Sequence, residues 1–191
     1  VTGSQWLVGA GREATKLVQR TANASSIIFG SAILADNWGA GLVGFQIEGN
    51  IGGGSTSGWA IEALASYENN IRDVGISGYN GLHGGVLING ANHIYIDRLF
   101  VANLGTHGTV DAATAVGFKC ADCNVVYMTN STIGDASYNC KAAFEIIEGD
   151  AVQIRDTETT GFKIGMAITP GSGQSVDWPS FDNLQLDVAE D

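Results

Sequence analysis

From Asn92 to Val101 apolar and polar residues alternate, with Ile94 and Ile96 on one side and Tyr95 and Asp97 on the other. A period of two is the signature of a strand with one buried face. The alternation slips by one residue at Asp97 and Arg98, then resumes at Leu99 and Val101. The slip predicts a bend between two short strands whose apolar sets still point into the same interior. The resulting unit, apolar-x-x-apolar-x-apolar, recurs along the chain. It is met at Leu42/Phe45/Ile47, Ile71/Val74/Ile76, Ile96/Leu99/Val101, Met128/Ser131/Ile133, Ile154/Thr157/Thr159 and Phe181/Leu184/Leu186, with first members 25 to 32 residues apart.

A second apolar strand precedes several units at a constant eight-residue distance, at Val86/Ile88, Phe118/Cys120 and Phe144/Ile146. Four residues past the end of each stands a turn residue, Asn92, Asn124 or Asp150. Three features therefore keep one register, which is how a repeat architecture shows itself in sequence. Ahead of the first unit, Trp6–Val8, Thr15–Val18 and Ile27–Phe29 read as further strands. The stretch 59–67 reads mainly as strand, although Trp59, Ala60, Ala63 and Leu64 also share helical spacing. The segments 52–58, 79–85, 102–115, 134–142 and 171–179 read as loops that leave the repeat at one phase.

No such unit can bury its own apolar face, and there is little helical sequence to cover it. Stacking successive turns of chain, each strand pairing in parallel with its counterparts in the turns on either side, solves the problem. The expected fold is all-β: a parallel β-helix, a solenoid of about six or seven coils, forming one domain over 1–191. Leu42 to Asn50 also fits the leucine-rich repeat consensus. That fold wants a helix where these coils are rich in glycine and β-branched residues, and leucine is scarce at the repeat positions. Outside the bend, Arg72, Asp97, Thr129, Arg155 and Asp182 form one expected polar column and Asp73, Arg98, Asn130, Asp156 and Asn183 another. Arg72 is expected beside Asp97.

Composition narrows the function. The 191 residues include 27 glycines and 2 prolines, are 45% hydrophobic and carry a net charge of −11. So acidic a chain offers no basic stripe for nucleic acid, and anionic membranes are disfavoured for the same reason. No apolar run reaches the roughly 18 residues of a membrane span. Three cysteines do not describe a disulfide framework. Cys120 and Cys123 have no second pair and no histidine at finger spacing, so no metal or other cofactor is expected. The chain opens at Val1 with no initiator Met and no secretory leader, and is expected to be a piece of a longer protein.

The coil pattern, together with the strand–glycine–threonine stretch from Leu7 to Leu17, resembles the right-handed parallel β-helix of the pectate-lyase-like superfamily. The nearest likeness is to the β-helix domains of bacteriophage tailspikes and depolymerases. That resemblance implies a homotrimer, a site for host surface polysaccharide on or between subunits, and a place on the virion tail or outside the cell. The Asp-Asp-Thr and Pro-x-Gly-x-Tyr segments that open such domains are absent, as are a capping helix and a terminal domain. Neighbouring chain is expected to close both ends, because open strand edges invite aggregation.

Outward positions on the long strand carry the candidate chemistry. Tyr95 and Tyr127 should lie one above the other, about 4.8 Å apart, as a sugar-binding platform flanked by Asp97 and Gln153, or else as a stabilising ladder pair. Glycan hydrolysis would need two carboxylates, roughly 5–9.5 Å apart according to stereochemistry. Asp97, Asp111, Asp135, Glu145 and Glu158 are the candidates, with no pair standing out. Glu145 should lie outward beside Lys119, and Glu158 should follow Phe100 and Thr132 in one column. A lyase would want a base such as His83, His93 or His107. Three functions are expected in order: recognition of host polysaccharide as a phage tailspike or tail fibre, its cleavage by lyase or hydrolase chemistry, and a structural or adhesin role without glycan activity.

Overall fold

In a computed structural model, residues 4–21, 23–30, 37–49, 58–77, 84–104, 115–134 and 140–188 are described. They are all-β, with no helix among them. In chain order the strands are β1 (Trp6–Val8), β2 (Lys16–Gln19), β3 (Ile27–Phe29), β4 (Asn37–Trp38) and β5 (Gly41–Gly49). Next come β6 (Trp59–Leu64), β7 (Ser66–Ser77), β8 (Gly84–Ala102), β9 (Val116–Thr129) and β10 (Thr132–Gly134). The last are β11 (Ala142–Ile146), β12 (Gly149–Phe162), β13 (Ile164–Ile168), β14 (Val176–Asp177) and β15 (Ser180–Val188). The stretch 59–67, ambiguous in sequence, is strand on both sides of a bend at Ala65.

The pairing follows the repeat. Leu42 pairs in parallel with Ile71, Ile71 with Ile96, Ile96 with Met128, Met128 with Ile154 and Ile154 with Phe181. The first five of these side chains are buried. Leu7 of β1 precedes Leu42 in the same file and Leu17 of β2 pairs with Ile47. A second file runs Ile27, Ile61, Val86, Phe118, Phe144 and Met166. Beside it runs a third of Phe29, Ala63, Ile88, Cys120, Ile146 and Ile168. Successive units thus contribute to common apolar files within one hydrophobic core.

The slip in the alternation has a backbone cause. Gly44, Asp73, Arg98, Asn130, Asp156 and Asn183, one in each unit, all have φ between 46° and 70°. In a strand, residues i and i+3 face opposite sides; one left-handed residue between them turns Leu99 to the side Ile96 already faces. Outside glycine that conformation costs roughly 1–2 kcal/mol, least for Asn and Asp. Burying Leu99 instead of exposing it stabilises by about 1.5–3 kcal/mol, so the bend wins.

A second left-handed column marks the other corner of each unit: Gly39, Glu68, His93, Val125, Ala151 and Trp178. The turn residues read from sequence, Asn92, Asn124 and Asp150, sit one position ahead of it, in register with Trp38 and Tyr67. The positive φ therefore falls on the residue after each Asn or Asp. Burial of Ile94, Val126 and Val152 directly beyond the corner drives the turn where residue preference does not.

Cys120 and Cys123, three residues apart on β9 and both buried, are joined by a disulfide. The odd cysteine count had argued against a disulfide framework. One intrachain link uses two cysteines and leaves Cys140 as a buried thiol.

Candidate functional site

Five consecutive register partners outline the site: Trp6, Gly41, Asn70, Tyr95 and Tyr127. Tyr95 and Tyr127 follow the corners at His93 and Val125 and point outward, because their neighbours on the strand, Ile94, Ile96, Val126 and Met128, are buried apolar residues. Tyr95 and Tyr127 are stacked, with ring centroids 5.4 Å apart and planes 9° from parallel. Near-parallel rings this close overlap face to face with an offset. They form a ladder and not two panels laid side by side, so the faces they share are partly covered. The outer face of Tyr95, towards Asn70, is the one that opens on the groove.

Trp6, 52% exposed, leans across Gly41. A Cβ at Gly41 would stand 2.4–2.6 Å from three atoms of the six-membered ring of Trp6, so only glycine admits this pose. A groove of about 520 Å³ extends from Trp6 past Asn70 and Tyr95 to Tyr127, with Arg72, Asp73, Asp97 and Arg98 along one side. Arg72 lies beside Asp97 as the sequence predicts, Nε to Oδ2 3.7 Å. Asp97 also meets Arg98 at 2.8 Å and accepts from Asn130 Nδ2 at 3.0 Å. That edge is a charge-balanced network.

The remaining candidate acids are elsewhere. Glu145 pairs with Lys119 in register, at 2.8 Å, and is also in contact with Lys141. It lies on the outward side of its strand, between inward Phe144 and Ile146, but is only 4% exposed because its lysines cover it. Burial alone would push its carboxyl up; hydrogen bonds and charge from Lys119 and Lys141 outweigh this and hold it below the ordinary glutamate value of 4.5. Glu158 follows Phe100 and Thr132 in one column, as predicted, and accepts from Thr132 Oγ1 at 3.2 Å. Of the singled-out acids among the described residues, Asp97 alone lines the aromatic groove. Asp111, Asp135, His83 and His107 lie outside the described residues. His93 occupies a left-handed corner position with φ 55° and is half-buried.

Sequence reasoning passed over Trp6, Asn70 and the Trp38–Tyr67 stack, whose centroids are 4.7 Å apart. Trp6 could have been found by extending the Tyr95 column backwards past Gly41, where a bare glycine between aromatic positions is the signal. A smaller acidic concavity is lined by Asp122, Glu148, Asp150 and Asp177. There burial, then the charge of Glu148, raises the Asp122 carboxyl. Among the described residues no group of three His, Cys, Asp or Glu side chains is arranged to hold a metal.

Compared with family models, curated proteins and solved structures, the chain matches none.

Proposed function

We propose that this chain is a right-handed parallel β-helix that binds cell-surface polysaccharide through the groove at Tyr95 and Tyr127, as a bacteriophage tailspike or tail-fibre domain does. The β-helix reading is supported by parallel pairing of successive units in one register and by two left-handed corner columns. Its handedness follows the strong preference of parallel crossovers for the right-handed path. Assembly as a homotrimer and a place on the virion or outside the cell belong to the same reading. The Cys120–Cys123 disulfide favours an oxidising setting.

One observation carries the binding function: an open groove with aromatic walls and a charge-balanced, hydrogen-bonding edge. Sugars present both an apolar C–H face and a polar rim, and such a groove complements both. Nucleic acid and anionic lipid fit a chain of net charge −11 poorly. Cleavage has less behind it, because the carboxylates of Asp97 and Glu145 are each held in ion pairs with two cations.

The test is a glycan array of bacterial capsular and O-antigen polysaccharides, probed with the native chain and with Tyr95→Ala/Tyr127→Ala. Binding by the native chain and its loss in the variant are expected; equal signals from both would remove the groove from the account. New reducing ends or unsaturated uronate after incubation would instead make the protein an enzyme.

A further inference from the structure

The aromatic file is interrupted at one position. The six-membered ring of Trp6 occupies the space over Gly41, and Tyr95 and Tyr127 fill the third and fourth positions counted from there. Between them stands Asn70, whose side chain does not fill its place: Nδ2 turns back to donate to the Glu68 carbonyl at 3.3 Å. Adjacent strands are about 4.8 Å apart, so the Gly41 and Tyr95 positions are separated by about 9.6 Å, two strand spacings. That leaves room for one ring, about one ladder spacing from each neighbour, much as Tyr127 stands 5.4 Å from Tyr95. The groove lies over this gap, with Trp6, Asn70 and Tyr95 all in its lining.

We propose that the gap at Asn70 is the specificity-determining subsite of the glycan groove. It takes a single pyranose ring between Trp6 and Tyr95, and it selects a sugar with all-equatorial hydroxyls, the gluco configuration. The proposal rests on the polysaccharide-binding reading above. An aromatic face is electron-rich and attracts the slightly positive C–H groups of a sugar. A ring held on one side needs one clean C–H face; a ring held on both sides needs two. Only when every ring hydroxyl is equatorial are both faces free of oxygen. An axial hydroxyl, at C2 in the manno or C4 in the galacto series, would press a polar group against an aromatic ring and lose its water without a partner. Equatorial hydroxyls instead point to the rim, where Arg72 and Asp73 stand on the neighbouring part of the same strand.

The experiment compares β-1,4-linked tetrasaccharides of glucose, mannose and galactose by calorimetry and by the emission of Trp6, with the other tryptophans replaced by phenylalanine. The gluco tetramer is expected to bind at least tenfold more tightly than the other two and to shift the Trp6 emission. Asn70→Tyr is the decisive variant, because it places a ring in the gap and completes the ladder. Its expected result is at least a tenfold loss of gluco binding with a melting temperature no lower than that of the native chain. Undiminished binding by Asn70→Tyr, or equal affinity for the three tetramers, overturns the subsite while leaving polysaccharide binding standing. If the native chain binds neither these tetramers nor any polysaccharide on the array, the functional reading fails and the subsite with it.

Discussion

Gly149 stands against the disulfide in the neighbouring register position: a Cβ on it would lie 2.9 Å from Cys123 Sγ and 2.8 Å from the Cys123 carbonyl oxygen. Cys120 Sγ would be 3.1 Å away. Gly149 pairs directly with Cys123, and its φ is not in the left-handed region. The glycine is there for space and not for backbone freedom. Gly149→Ala is therefore expected to destabilise the fold by about 1–3 kcal/mol, the usual cost of overpacking. Replacing both cysteines by alanine removes the two sulfur atoms that the new methyl would meet. In the triple variant the cost of Gly149→Ala should shrink. A double-mutant cycle by denaturant unfolding measures this, and a cost as large without the disulfide as with it would show the carbonyl alone to be the obstacle.

Glu145 gives stability an acid limb. Its carboxyl is held below 4.5 in the folded chain, so its contribution is fully present above the unfolded value. That contribution is lost as pH falls from about 4.5 through the lower folded value. Glu145→Gln should flatten this part of the stability curve. Thermal melts of both proteins between pH 3 and 7 test it: the native chain should lose more stability than the variant on acidification, and parallel curves would show the lysine pairs to be energetically idle.

Val125 occupies a left-handed corner with φ 55°. A β-branched residue is poorly suited to that region, and asparagine tolerates it. The side chain is only half-buried, so little packing is lost on replacement. Val125→Asn is expected to stabilise by roughly 1 kcal/mol, read as a higher denaturant midpoint with unchanged slope. Val126, next to it and fully buried, should show the opposite: Val126→Asn puts an unpaired amide in the core and destabilises strongly.

Much of this arrangement can be read without coordinates. The files through Leu42, Ile71, Ile96, Met128 and Ile154, the bend before Leu99, the Arg72–Asp97 pair and the adjacency of Tyr95 and Tyr127 all follow from spacing along the chain. Each depends only on the two-residue period of a strand and on a common register, and these are one-dimensional quantities. The column at Asp73, Arg98, Asn130, Asp156 and Asn183 was legible as an outward polar file at a bend, but its left-handed backbone was not read from the sequence. The other corner was placed one residue early, since Glu68, His93, Val125 and Ala151 carry no such preference and are turned by the apolar residues beyond them.

Sequence alone thus determined which residues face inward and which share a column, because strand period and repeat length decide both. It could not determine what a side chain does after leaving the backbone. Only tertiary structure tipped Trp6 across Gly41, overlapped the tyrosine rings, added Lys141 to the expected Lys119–Glu145 pair and joined Cys120 to Cys123. Those outcomes depend on rotamers and on the volume left by residues of neighbouring strands. The empty place above Asn70 depends on them as well.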